Sequence, residues 1–342
     1  MSEVTKTGNG SGRRLWHFDL LRVVAIFAMV MLHVNFNPGL GTRDWNVANI
    51  YSSFVHFCVP VFVMVSGAFF LDPERQYPPK KLARHVIRLV CAFIFWSLLY
   101  ALFNVHEAGQ FNLKEFFWDC FYGPFHFWFI FMIISLYLVV PFLRKITADK
   151  RLTEYFLLLS FVFTILLFPV QTYHPALLRN NFMTLVCGYS VYFVLGYYLK
   201  AYPLGKGVKT ALYVLGVLSL FLTVSGTRML SARAGAMDET LRLPFSPTIF
   251  FWSASIFLFF RDVVSKADWT ETGKKVIGSL SKCSFGIYLI HVFVIRFVKD
   301  YVVPQGMDHI ALIPLTALIV FIISYFIIFL ISKIPVLNKY IV

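Results

Sequence analysis

Ten long apolar segments, separated by short polar loops, dominate this chain of 342 residues. Most of them reach the roughly 17–25 residues that a helix needs to cross a hydrocarbon core about 30 Å thick. Because a backbone in lipid has no water to bond, such apolar runs favour helices as the spanning structure. The sequence therefore predicts an all-α polytopic membrane protein with about ten transmembrane helices, at about residues 16–35, 50–71, 86–104, 125–143, 155–170, 182–199, 208–225, 245–260, 283–299 and 311–332.

Composition and charge support this class and predict an orientation. Hydrophobic residues make up 58% of the chain and charged residues 14%, which is too apolar for a soluble domain. With the N-terminus inside, the inner segments hold 22 of the 31 lysines and arginines and the outer loops hold 8. Cytoplasmic loops carry such an excess, so both termini are predicted to be cytosolic, with a tail at 1–14 and one transmembrane domain at 15–342. The net charge of +14 is then mostly an orientation signal, and no nucleic-acid partner is predicted.

The first apolar segment, FDLLRVVAIFAMVMLHV (18–34), carries three ionisable residues. Arg22 and His33 are eleven residues apart, which places them on one helical stripe about 16 Å apart along the axis. Asp19 lies one turn before Arg22 and can pair with it. Because charges inside a membrane are costly, these residues are candidates for a functional site. A neutral His33 in an apolar cavity would be a competent general base, although a histidine at this helix end could also simply meet lipid headgroups.

A basic helical face precedes the third segment, in YPPKKLARHVIRLV (77–90). Lys80, Lys81, Arg84 and Arg88 recur at steps of three and four residues, so they share one side of a helix at the predicted cytosolic boundary. One interpretation is membrane anchoring by contact with anionic lipids. The alternative is a clamp for a phosphorylated cytosolic ligand.

Three further stretches place polar or aromatic side chains at membrane depth, as candidates for substrate binding. His126 and Trp128 begin the fourth segment and His56 lies near the outer end of the second. Tyr288 and His291 are one turn apart close to the bilayer centre. Trp128 could instead be an interfacial anchor, and His291 could instead join two helices. Since these histidines come from separate segments without metal-ligand spacing, no metal site is predicted.

Together these stretches resemble the acyltransferase 3 family of integral membrane acyltransferases, most closely its compact members that O-acetylate bacterial surface polysaccharides. Asp19, Arg22 and His33 match the family's opening signature of Asp, Arg, ten residues and His. An extra helix and an esterase-like domain carried by some relatives are not expected here. The other similar segments are FVHFCVPVFVMVSGAFFL (54–71), KKLARHVIRLV (80–90), FHFWFI (125–130), FVLGYYL (193–199) and SFGIYLIH (284–291).

The resemblance implies an acyl-CoA donor, usually acetyl-CoA, and a hydroxyl acceptor on a cell-envelope glycan or lipid-linked sugar. The protein would then lie in a bacterial inner membrane, with Arg22 and the basic face holding CoA phosphates and His33 acting as base. Direct transfer and an acyl-histidine intermediate both remain open, and so does the oligomeric state, with a homodimer as one option. The rival hypotheses are a transporter or flippase for a sugar or lipid-linked glycan, which the lack of a visible internal repeat disfavours, and a non-catalytic subunit of a polysaccharide assembly complex.

Overall fold

The structure, a computed structural model, describes residues 14–34, 39–75, 77–173, 187–302 and 307–341. These residues form helices and no strand. Nine helical segments in this described part are long and apolar enough to cross a membrane, which confirms the prediction of an all-α polytopic membrane protein. The predicted span at 182–199 begins outside the described residues, as does nearly all of the predicted N-terminal tail.

The helices are α1 (Trp16–Val34), α2 (Arg43–Val55), α3 (Cys58–Phe70), α4 (Pro79–Ala108), α5 (Leu113–Tyr122), α6 (Trp128–Thr147), α7 (Lys150–Ser160), α8 (Phe168–Tyr173), α9 (Ser190–Ala201), α10 (Lys206–Ala234), α11 (Pro247–Asp262), α12 (Glu271–Tyr301), α13 (His309–Ile331) and α14 (Pro335–Tyr340). Helices α2 and α3 form one span that is interrupted only at His56 and Phe57. A π-helical turn, Phe161–Leu166, joins α7 to α8 within another span. Several spans therefore extend well beyond the apolar runs seen in the sequence.

Contacts near the ends of the spans agree with the predicted assignment of each loop to one side of the membrane. On the predicted cytosolic side, Lys200 pairs with Asp72 at 2.8 Å, and Arg144 donates to carbonyl groups of the α3–α4 connection. On the opposite side, Arg43 pairs with Asp308 at 2.8 Å. Asp308 also caps α13, and the bond from the Ile310 N–H, together with the nearby Arg43 charge, lowers the pKa of its carboxyl. Thus segments predicted to share a side meet on that side.

Helix α1 lies at the centre of the bundle, where it packs against α3, α12 and α13. In contrast, α10 is the least buried of the spans and presents most of its surface outward, as a lipid-facing helix does. The polar stripe of α1 is therefore enclosed by other helices, which is where intramembrane ionisable groups are normally found.

Helices α3 and α9 pack with their backbones in contact. A Cβ atom added at Gly67 would lie 1.8 Å from the Phe193 carbonyl oxygen, and one at Gly196 would lie 2.0 Å from the Met64 carbonyl oxygen. Small residues allow this close approach between membrane helices. The two glycines belong to the segments at 54–71 and 193–199, which carry the family resemblance. Both segments therefore contribute a glycine to close helix packing.

Two short helices were not expected from the sequence. Helix α5 has no buried residue and exposes Phe117, Trp118, Phe121 and Tyr122, the composition of a helix lying in the membrane interface. Helix α14 packs against α4, and the Trp96 indole donates to the Ile341 carbonyl at 3.1 Å. The C-terminal segment therefore lies along the side of the bundle.

Candidate active site

A cavity of about 670 Å³ runs through the bundle beside α1. This volume is in the range of small-molecule sites. Side chains at several depths line it, and they include most of those singled out in the sequence. The members whose side chains carry a nitrogen or oxygen atom are Arg22, His33, His56, Ser66, His85, Arg88, His126, Trp128, Tyr137, Arg242, Ser281, Lys282, Ser284, Tyr288 and Asn338.

Arg22 marks the inner end of the cavity, on the predicted cytosolic side. Its Nη1 lies 4.0 Å from Asp19 Oδ1 and 3.4 Å from the Ser281 hydroxyl, which itself donates to Asp19 at 2.7 Å. The predicted Asp19–Arg22 pair is therefore long, and the closer partner of Asp19 is Arg14, at 2.5 Å. The Arg22 side chain is 33% exposed, and because it lines the cavity, part of that surface is open to a ligand.

Only part of the predicted basic face lines the cavity. Arg88 lines the cavity with His85, while Lys80, Lys81 and Arg84 are exposed on the same helix and are absent from the cavity lining. Lys282, from α12, adds another positive charge near the inner end. The inner end thus gathers cations from α1, α4 and α12, an arrangement suited to a ligand with several phosphates.

His33 is joined to the backbone through a second histidine. Its Nδ1 lies 2.8 Å from His291 Nε2, and His291 Nδ1 lies 2.6 Å from the Tyr288 carbonyl oxygen. Because a carbonyl only accepts, Nδ1 of His291 must carry a proton, so in a neutral ring its Nε2 is an acceptor. His33 then donates from Nδ1, which leaves the lone pair on its Nε2. The chain of two bonds therefore selects the tautomer that a general base requires.

His126 lies against this pair. Its ring centroid is 5.0 Å from that of His291 and 6.3 Å from that of His33. The Tyr288 hydroxyl donates to the His126 carbonyl at 2.7 Å, and so fixes the start of α6 against α12. Neither His126 ring nitrogen has a hydrogen-bond partner of normal geometry within the described part of the chain. The residue is 2% exposed and lines the cavity, so its ring nitrogens are candidates for contact with a substrate.

The outer end of the cavity is formed by His56, Trp128 and Arg242. His56 sits at the break between α2 and α3, where its Nδ1 donates to the Ser52 carbonyl at 2.6 Å. Trp128 begins α6 and is 45% exposed, so its indole presents a flat apolar face at the cavity wall. Arg242 belongs to a 3₁₀ turn, Thr240–Arg242, in the loop that follows α10.

Four residues of this site were not singled out in the sequence. Arg242 counts as one more outer-loop charge, and Ser281, His85 and Lys282 carry no signal of their own. His85 could have been singled out because it lies one turn before Arg88 in the same motif. Among the described residues, no group of three or more His, Cys, Asp or Glu side chains has the arrangement of a metal site.

Comparison with known families agrees with the resemblance seen in the sequence. A sequence model of the acyltransferase 3 family, described as an acyltransferase domain, matches residues 15–333. No significant match was found among curated proteins or among solved structures. Because the family match extends over nearly the whole chain, and the family's Asp-Arg-His signature lies on the helix that borders the cavity, this chain belongs to the acyltransferase 3 family of integral membrane acyltransferases.

Proposed function

We propose that this membrane acyltransferase moves an acetyl group from cytosolic acetyl-CoA to a sugar hydroxyl of a cell-envelope glycan or lipid-linked sugar, in a bacterial inner membrane. The observation that carries the proposal is the cavity that connects the cationic cluster at Arg22 with the histidine pair at His33 and His291. One path therefore links a site suited to a nucleotide with a side chain suited to proton transfer.

The donor fits the inner end in charge and in length. Arg22, Arg88 and Lys282 supply positive charge for the phosphates of CoA, and arginine forks pair well with phosphate oxygens. The pantetheine arm, of order 15–20 Å when extended, is comparable with the rise of about 16 Å between Arg22 and His33. A CoA whose phosphates lie at Arg22 would therefore bring its thioester to His33.

His33 acts as the general base in this proposal. Its Nε2 takes the proton of the acceptor hydroxyl as the hydroxyl oxygen bonds to the thioester carbonyl carbon. The carbon–sulfur bond then breaks, and the His33 imidazolium returns the proton to the leaving sulfur. His291 holds the ring in the required tautomer, as an orienting partner does in a catalytic triad. A positioned base of this kind contributes about 10²–10⁴-fold in rate.

The acceptor enters from the outer end. Trp128 offers an apolar face to a sugar ring, and His126 and His56 offer ring nitrogens to its hydroxyl groups. Because His33 lies between this group and the CoA site, the acceptor hydroxyl and the thioester can meet at its Nε2.

Purified full-length protein in nanodiscs with radiolabelled acetyl-CoA tests the proposal. We expect transfer of label to a glycan acceptor by the wild type, and a 10²–10⁴-fold loss in His33→Ala with unchanged CoA affinity. His106→Ala, at an exposed histidine of α4, is the matched control and should behave as wild type. Near wild-type transfer by His33→Ala would contradict the assignment. A labelled histidine found by mass spectrometry would favour an acyl-histidine intermediate over direct transfer.

A further inference from the structure

Arg242 is buried at the outer end of the cavity although it comes from a loop. Its side chain is 1% exposed, and the residue lines the cavity together with Leu243 and Pro244. The loop is held by specific bonds: Thr248 donates to the Leu241 carbonyl at 2.6 Å, and the Tyr192 hydroxyl donates to the Pro244 carbonyl. These bonds therefore hold the guanidinium in a defined, buried position.

The bonds of Arg242 do not balance its charge. Its Nη2 donates to the neutral Asn49 side chain, whereas Nε and Nη1 have no hydrogen-bond partner among the described residues. The nearest carboxylate is Glu239, whose Oε1 lies 3.7 Å from Nη1 and whose side chain is 54% exposed. Burying a cation costs several kcal/mol unless a partner compensates it. An exposed carboxylate beyond hydrogen-bond distance compensates little.

Basic side chains line both ends of the cavity. Arg22, Arg88, Lys282 and Arg242 line it, and no aspartate or glutamate does so in the part of the chain that the structure describes. Three of these cations are at the inner end and are accounted for by the phosphates of the donor. Arg242 is separated from them by the histidine pair at His33, so the donor phosphates leave its charge uncompensated.

We infer that Arg242 binds an oxyanion of the acceptor, a carboxylate or a phosphate, and that the acyltransferase acts on an acidic glycan or a phosphate-linked sugar. The inference rests on the proposed function, and it narrows the acceptor from any sugar to an anionic one. Nε and Nη1 each keep an N–H without a partner, and the second N–H of Nη2 forms a fork with whichever of them lies on its side. Such a fork bonds two oxygens of one oxyanion, which a single neutral hydroxyl cannot match. A shift of the side chain from its enclosed position toward the cavity would present both groups.

The position of Arg242 also orients the acceptor. His33, His56 and Arg242 all line this one cavity. An acceptor anchored by its anion at Arg242 would extend past His56 and Trp128 toward His33. The hydroxyl that is acylated should therefore lie within one or two sugar units of the anionic group.

Equilibrium binding to full-length protein in nanodiscs of neutral phosphatidylcholine tests this without any catalysis. The probes are a tetrasaccharide containing glucuronic acid, its carboxyl-reduced neutral counterpart and a polyprenyl-phosphate-linked glucose. We expect the wild type to bind one of the two anionic probes about ten- to a hundredfold more tightly than the neutral one, because hydrogen bonds to charged groups are worth that much. The anionic probe that is preferred identifies the source of the oxyanion.

Arg242→Gln should abolish this preference and leave CoA affinity unchanged, while Arg242→Lys should keep part of it. Arg233→Gln, at an exposed arginine on the same side, is the matched control. If Arg242→Gln does not fold, Glu239→Gln decides the question. Removal of the competing carboxylate should strengthen binding of the anionic probe, whereas a purely structural ion pair predicts unchanged binding and a lower melting temperature.

Equal binding of all three probes by the wild type would overturn the inference. Competition of phosphatidylglycerol for the same arginine would also overturn it, because it would show that a lipid headgroup occupies the site. Acetyl transfer to neutral and anionic acceptors at equal rates would leave the proposed acyltransferase reaction standing and refute the acidic acceptor. Arg242-dependent binding of an anion without any acetyl transfer would support the anion site and refute the proposed acyltransferase reaction.

Discussion

Both ends of the cavity contain an arginine, but the two arginines are held in different ways. Arg22 projects from a transmembrane helix, has a carboxylate at 4.0 Å and is one-third exposed. Arg242 projects from a loop, bonds to a neutral amide and is almost fully enclosed. The inner arginine has other cations nearby, whereas the outer one is the single Lys or Arg at its end of the described cavity lining. The inner end is suited to several phosphates that enter and leave, and the outer end to one oxyanion.

The comparison would fail most completely if the end of the cavity at Arg242 faced the cytosol and the end at Arg22 faced outward. Reporters fused after residues 112 and 235 should read as external, and one fused after residue 205 should read as cytosolic, because lysine and arginine favour that orientation. Cytosolic readings at 112 and 235 would place Arg242 on the cytosolic side. The donor and acceptor assignments would then have to be reversed.

The histidine pair lies between the two ends, and its geometry can be tested separately from them. His291→Leu removes the acceptor for His33 Nδ1, and we expect kcat to fall about 10²-fold while CoA affinity and the KM for the acceptor stay unchanged. His291→Gln can place an amide oxygen near the former Nε2 and should recover part of the rate. Equal losses in the two variants would indicate that His291 only packs the helices together.

Substitution at the inner end should affect the donor alone. Arg22→Gln should weaken CoA binding about tenfold or more, and Arg88→Gln less, because charge-assisted bonds to phosphate are lost. Arg14 and Ser281 still bond to Asp19 in the Arg22 variant, so we expect α1 to stay folded. Arg84→Gln, one turn from Arg88 but outside the cavity lining, is the matched control. Unchanged CoA affinity in both cavity variants would place the donor elsewhere.

The smallest effect is expected from the exposed part of the basic face. Replacing Lys80, Lys81 and Arg84 together by glutamine should weaken CoA binding less than about threefold at low salt, and the difference should vanish at high salt, where exposed charges are screened. A loss as large as that of Arg22→Gln would show that the nucleotide lies on this face instead.

Much of this fold and part of the site could be predicted from the sequence alone. Long apolar runs and the distribution of basic residues suffice to predict the helices and the side on which each loop lies. In lipid the backbone N–H and C=O groups have to bond to each other, which favours a helix in each run. Arg22 and His33 could be paired because one helix carries both, and helical geometry then fixes their separation.

The partners of these residues could not be predicted, because tertiary packing brings them together. His291 is 258 residues from His33 in sequence, and no local pattern joins them. Periodicity likewise placed Arg84 and Arg88 on one face, but only the position of α4 against its neighbours decides that Arg88 lines the cavity. Arg14, two residues before α1, lies 2.5 Å from Asp19 and so replaces Arg22 as its nearest partner.

The backbone contact between α3 and α9 has a consequence for motion. Gly67 and Gly196 bring the two backbones into contact, so sliding or rotation of one helix against the other would drive larger neighbouring side chains into this contact. Any movement of the cavity wall that admits a CoA nucleotide would therefore carry α3 and α9 together. By contrast, α4 contributes His85 and Arg88 to the cavity lining and is among the less buried of the described spans, and α14 rests on it. We expect breathing of the enzyme to take place along α4, with α3 and α9 moving as one rigid body.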